Sequence, residues 1–85
     1  MVEKVLRVTS EEGLHARPAM NFAKEAAHFK SKVSIEKGGA SFDAKSTLMV
    51  LSACVEQNDS FVLRAEGEDE IQAVEKLSGI INSME

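Results

Sequence analysis

The apolar residues of this chain switch repeatedly between a two-residue and a three-to-four-residue spacing, and that switching restricts it to a mixed α and β fold. Across Val2 to Thr9, Val2, Leu6 and Val8 point one way and Glu3, Val5 and Arg7 the other, as in a strand with one buried face. Ser10-Glu11-Glu12-Gly13 interrupts it. From Ala16 to Phe29 the residues Ala19, Phe22, Ala23, Ala26 and Phe29 recur at helical spacing, which predicts an amphipathic first helix. Lys32 to Lys37 alternates again, with Val33 and Ile35 inward, and Gly38-Gly39 supplies the positive-φ residues of a tight hairpin turn before a short return strand over Ala40 to Ala44. Ser46 precedes the apolar run Thr47 to Val55 and reads as the N-cap of a second, short helix. Gln57-Asn58-Asp59 reads as a turn, and Phe61, Leu63 and Ala65 alternate with Val62, Arg64 and Glu66 in a last strand ending at Gly67. Asp69 and Gln72 then resemble a capping pair before Ile71, Val74, Leu77, Ile80, Ile81 and Met84, the apolar stripe of a third helix. The order βαββαβα predicts an α+β fold, a four-stranded antiparallel sheet with three helices on one face.

With 85 residues the chain accommodates one domain, 1–85, and no separate cofactor and substrate domains. A chain this short buries only about 60% of its unfolded surface, so its core needs nearly every apolar side chain and an exposed one calls for a reason. Ten basic against fourteen acidic residues give a net charge of −4, which lacks the basic footprint of a nucleic-acid binder. The single cysteine, Cys54, excludes an internal disulfide, and Met1-Val2-Glu3-Lys4 lacks the apolar stretch of a signal peptide, so a cytoplasmic location is expected. Leu48 to Val55 is far shorter than the ~20 residues that span a bilayer, and no membrane insertion is expected.

The segment that carries chemistry is Gly13-Leu14-His15-Ala16-Arg17-Pro18-Ala19. It places a histidine where a loop becomes a helix, an arginine two residues on, and a proline in the first turn, where the missing N–H has no intrahelical partner to lose. A helix start presents free N–H groups and partial positive charge, here the backbone of Ala16 and Arg17, and the Arg17 side chain adds a planar donor. An anion at His15 would be held there, and the same positive end favours the neutral, nucleophilic imidazole. Chemistry alone favours reading His15 as a surface loop histidine over a phosphoryl acceptor.

The chain resembles HPr, the histidine-containing phosphocarrier family of the bacterial sugar phosphotransferase system. The resemblance rests on Gly13-Leu14-His15-Ala16-Arg17-Pro18-Ala19, on Lys45-Ser46 before the second helix, on Ala65-Glu66-Gly67-Glu68-Asp69-Glu70 before the third, and on the length. It implies an open-faced sandwich that accepts a phosphoryl group on the Nδ1 of His15 from phosphorylated enzyme I, with Arg17 stabilising the phosphate. The group then passes to the A domain of a sugar-specific enzyme II. The resemblance implies a carrier without turnover of its own, no cofactor and no metal; a monomer is expected.

The second helix is apolar almost all round, so a face resting on a sheet leaves some of it in water. The resemblance places Thr47, Leu48 and Leu51 in a docking patch beside the first helix, and Met20 extends it here. Ser46 is both a cap and, in some members, the target of a serine kinase whose product a transcriptional regulator reads; a regulatory protein acting through Ser46 is the alternative function. A plain binding module without phosphochemistry is a further alternative. Met49 and Cys54 stand where family members often carry glycine. Cys54 is expected to be a small buried hydrophobe, and His28 a solvent-facing helix residue; His15, His28 and Cys54 lack the spacing of a metal site.

Overall fold

A computed structural model describes residues 1–11, 13–14 and 16–83. The elements follow the expected order: β1 (Val2–Arg7), α1 (Ala16–Ala26), β2 (Lys32–Lys37), β3 (Ala40–Asp43), α2 (Thr47–Ser52), β4 (Ser60–Glu66) and α3 (Glu70–Asn82). The four strands form one antiparallel sheet in the order β1-β4-β2-β3, so β4 and β2 lie in its middle. Period-two alternation dictates what each face carries. Leu6 and Val8, Val33 and Ile35, and Phe61, Leu63 and Ala65 point inward and are buried, together with Ala19, Phe22, Ala23 and Ala26 of α1, Val50 of α2, and Val74, Leu77 and Ile81 of α3. The opposite face is uncovered. There Val5 is 69% exposed, and Arg64 ion-pairs with Glu3 directly across the ladder and, at 2.9 Å, with Glu36 on its other side. Gly38 and Gly39 both take positive φ, 60° and 82°, the conformation a two-residue hairpin turn demands.

Two helix ends differ from the sequence reading. Helix α1 stops at Ala26, not Phe29, because the chain leaves the helix to deliver the N–H groups of Lys30 and Ser31 to the Asp69 carboxylate, at 2.8 and 2.9 Å. Phe29 packs half-buried against the core from this connection, its carbonyl accepting from Lys45 Nζ at 2.8 Å. Helix α2 stops at Ser52 because Cys54 turns left-handed, φ 51°, and Val55 re-enters the core from outside the helix.

The Asp69 and Gln72 capping pair is also corrected. Asp69 occupies the N-cap position of α3, but its side chain makes no bond to that helix. Its oxygens are taken by the two amides and by the Ser31 hydroxyl, and Glu70 Oε1 accepts from the Gly67 N–H at 3.2 Å instead. In α3 the buried stripe is Ala73, Val74, Leu77, Ser78 and Ile81; Ile71 is exposed, Ile80 half-buried, and Met84 lies outside the described residues.

Those donors hold the Asp69 carboxyl at about 2, below its usual value of 3.8, with the Ser31 hydroxyl the largest cause. A lowered folded-state pKa contributes stability that is complete above the unfolded value and fades as pH falls toward the folded one. Asp69→Asn should therefore lower the thermal midpoint at neutral pH and show a shallower loss of midpoint between about pH 4 and pH 2 than the parent protein. Thermal unfolding across that pH series checks it; parallel curves would show that Asp69 contributes nothing there.

Candidate functional site

Helix α1 begins at Ala16, directly after His15, which itself lies outside the described residues. Its two flanks are described. The chain enters through a turn in which the Gly13 N–H donates to the Ser10 carbonyl at 3.0 Å, and the Leu14 N–H donates to the Val55 carbonyl at 2.8 Å. Gly13 has φ 67°, and a Cβ there would stand 2.5 Å from the Val55 oxygen and 2.7 Å from Glu56 Cα, so only glycine lets the two segments meet. Leu14 is buried beneath the turn. The entrance to α1 is thus seated on the segment that leaves α2.

On the far flank, Ala16 and Arg17 are exposed and Pro18 is half-buried in the first turn. No acidic residue occupies that turn, so the first amides of α1 and the Arg17 guanidinium are positive features at one exposed helix start. This arrangement receives an anion well. Buried Ala19, Phe22, Ala23 and Ala26 anchor the helix from below.

Helices α1 and α2 pack against each other, and both leave apolar residues in water. Leu48 is 75% exposed, Met20 52% and Met49 39%, while Thr47 is half-buried. Leu51 is half-buried and packs against the core, and Val50 is core. The residues expected to dock therefore differ in exposure, Met20 and Leu48 standing in water while Thr47 and Leu51 are half-buried. Met49, which the sequence reading singled out only as a departure, joins the exposed set.

Ser46 caps α2 as expected, its backbone extended and its Oγ accepting from the Met49 N–H at 3.3 Å. Cys54 corrects the expectation of a buried hydrophobe: it is exposed, because its left-handed backbone projects the side chain outward as the chain turns from α2. His28 is solvent-facing as expected, but in the turn after α1 and not on the helix.

Sequence reasoning missed Lys37. From the end of β2 its Nζ donates to the carbonyls of Ala53 and Cys54 and pairs with Asp59 at 3.1 Å. Asp59 also accepts from the Glu56 N–H at 2.9 Å, and the two donors, Glu56 foremost, hold its carboxyl below the usual carboxylate range. The only sequence signal was the absence of a basic residue in the last turn of α2, which leaves its carbonyl end to a cation from elsewhere.

A one-sided sheet whose helices expose a positive helix start and several apolar side chains defines the class of small α+β domain to which this chain belongs. The chain belongs to the HPr family of the phosphotransferase system: the family model described as "PTS HPr component phosphorylation site" matches residues 2–83. It is similar to the phosphocarrier protein HPr of Buchnera aphidicola, 41% identical over the whole of both chains. It is also similar to the HPr-like protein Crh of Bacillus subtilis, 41% identical over 95% of each. The crystal structure of HPr-C-His from Thermoanaerobacter tengcongensis superposes with a TM-score of 0.94 at 37% identity, covering 98% of this chain and 93% of that one. Membership makes the general role that of a phosphotransferase-system phosphocarrier, and among the described residues no helix is long and apolar enough to cross a membrane.

The Ser46 cap yields a prediction. Ser46→Ala should destabilise the protein by about 0.5–2 kcal/mol through the lost acceptor. Ser46→Asp should match or exceed the parent, since aspartate caps equally well and negative charge at a helix start contributes about 0.3–1 kcal/mol. Denaturant unfolding of the three proteins checks the order.

Proposed function

We propose that His15 is the phosphoryl acceptor: it takes the group from phosphorylated enzyme I and passes it to the A domain of a sugar-specific enzyme II. The observation that supports this reading is the family match across residues 2–83, together with the exposed helix start that directly follows His15. The neutral imidazole attacks phosphorus with a ring nitrogen lone pair as the bond to the donor breaks, and the reverse displacement delivers the group to the acceptor. The backbone of Ala16 and Arg17 and the Arg17 guanidinium hold the phosphoryl oxygens. Stabilisation at such a site stays moderate, because a carrier that holds its cargo too tightly cannot release it.

Purified protein incubated with enzyme I and phosphoenolpyruvate should gain one acid-labile phosphate by mass spectrometry, and His15→Ala should gain none while keeping its fold. Phosphate acceptance by that variant would overturn the assignment.

Both partners dock on Met20, Thr47, Leu48 and Met49, with Leu51 supporting them from below. Exposed apolar side chains on so small a protein support this, since the core needs nearly every such residue. Replacing Leu48 and Met49 together with serine should weaken enzyme I binding about tenfold or more without loss of fold. Calorimetric titration measures it, and unchanged affinity would place the interface elsewhere.

Ser46 supports a second, regulatory reading. It is half-buried at the start of α2 beside the docking residues, and the chain resembles the Crh relative as closely as it does the HPr relatives. A phosphate on Ser46 adds about −1.5 to −2 charge at a helix start that tolerates it and in a patch that must be desolvated on docking. A serine kinase and a transcriptional regulator are the partners of that reading.

A further inference from the structure

We infer that Lys37 is a positioning residue for phosphoryl transfer: from β2 it clamps the 53–59 segment, which carries both the end of α2 and the seat of the Gly13–Leu14 turn. The inference rests on the reading of His15 as the phosphoryl acceptor and names a residue that holds the surroundings of that site.

The 53–59 segment is irregular and passes through two left-handed non-glycine residues, Cys54 at φ 51° and Asn58 at φ 70°. Such conformations persist only where neighbours enforce them. Near Cys54 the enforcing group is Lys37, whose ammonium donates to the Ala53 carbonyl at 3.2 Å and to the Cys54 carbonyl. Its pairing with Asp59 at 3.1 Å ties the start of the segment to its end. Asp59 in turn closes the tight turn with Glu56, accepting its N–H at 2.9 Å on the side chain and donating its own N–H to the Glu56 carbonyl at 3.0 Å. Between these fixed points lie Val55 and Glu56, the residues against which Gly13 closes, with Val55 accepting the Leu14 N–H at 2.8 Å.

One ammonium therefore acts on both halves of the site. It caps the carbonyl end of a six-residue helix that has no basic residue of its own in its last turn and that exposes Leu48 and Met49. It also holds the platform under the residue preceding His15. Lys37 touches neither the phosphoryl group nor, in the docking arrangement above, a partner, so its effect is exerted through backbone geometry. Loss of the clamp should loosen the Leu14 amide and slow transfer even where the protein is fully folded.

The test compares Lys37→Met, which keeps the aliphatic stem and loses the donors, with Lys37→Arg and with Asp59→Asn, which keeps an acceptor for the Glu56 N–H but removes the charge. Two readouts are taken well below the unfolding transition: hydrogen exchange of the Leu14 amide by NMR, and the rate of enzyme I-dependent phosphorylation as a function of carrier concentration. Lys37→Met should exchange Leu14 about tenfold faster and lose about fivefold in kcat/KM, with Lys37→Arg recovering most of both. Asp59→Asn should fall between. A folded Lys37→Met with both readouts within about twofold of the parent overturns the inference. Faster exchange with an unchanged rate overturns it too, since Lys37 then serves the fold alone. Should Lys37→Met fail to fold, Asp59→Asn carries the same comparison, and parental behaviour in both readouts overturns the clamp. If the parent protein takes no phosphate, the reading of His15 falls by itself; Leu14 exchange then decides the clamp, unchanged exchange overturning it.

Discussion

The inward row of β4, Phe61, Leu63 and Ala65, is the floor on which the helices stand, and its burial is the constraint from which the other features follow. β4 pairs on both sides, with β1 and with β2, so its position and register set those of its neighbours. A sheet buried on one side concentrates its apolar residues there, and the other face carries exposed Val5 beside Arg64 and its carboxylate partners. Because the chain is short, little apolar material remains for any second purpose. Leu48, Met20 and Met49 are exposed on α1 and α2, as Val5 is on the open sheet face and Ile71 on α3.

Two carboxylates organise the connections around this core. Asp69 gathers the amides of Lys30 and Ser31 and so joins the α1–β2 connection to the start of α3, while Asp59 gathers the Glu56 amide and the Lys37 ammonium and shapes the connection from α2 to β4. Each satisfies backbone or side-chain donors that strands and helices leave over, which is the demand every irregular segment makes. Connections built in this way can hold a precise geometry without regular secondary structure. The entrance to α1 depends on this, since Leu14 is bonded to one such connection and not to another helix or strand.

Function in such a molecule is placed at the rim of the packing. Ala16 and Arg17 at the start of α1 are exposed, yet Ala19 and Phe22 further along the same helix are fully buried, so an open helix start sits on a rigid base. Its neighbour α2 is too short and too apolar to hide all its side chains, and Leu48 and Met49 remain exposed. Charge and apolar surface are thus presented together by two helices held at fixed positions.

Periodicity alone determined the element order, the inward rows of the strands, the hairpin at Gly38 and Gly39 and the Ser46 cap, because each depends on residues within a few positions of one another. The motif from Gly13 to Ala19 likewise marked a helix start, which is a local event, and the structure begins α1 at Ala16. Only the tertiary structure decided where α1 and α2 stop, that Asp69 serves a distant loop and not its own helix, that Cys54 faces water, that Leu51 is half-buried against the core, and that Lys37 reaches the end of α2. Those outcomes turn on partners far away in the chain: Lys30 and Ser31 for Asp69, Ala53 and Cys54 for Lys37, Leu14 for Val55. A hydrogen bond between such residues leaves no spacing to read, because its existence depends on how the sheet and helices bring the two segments together.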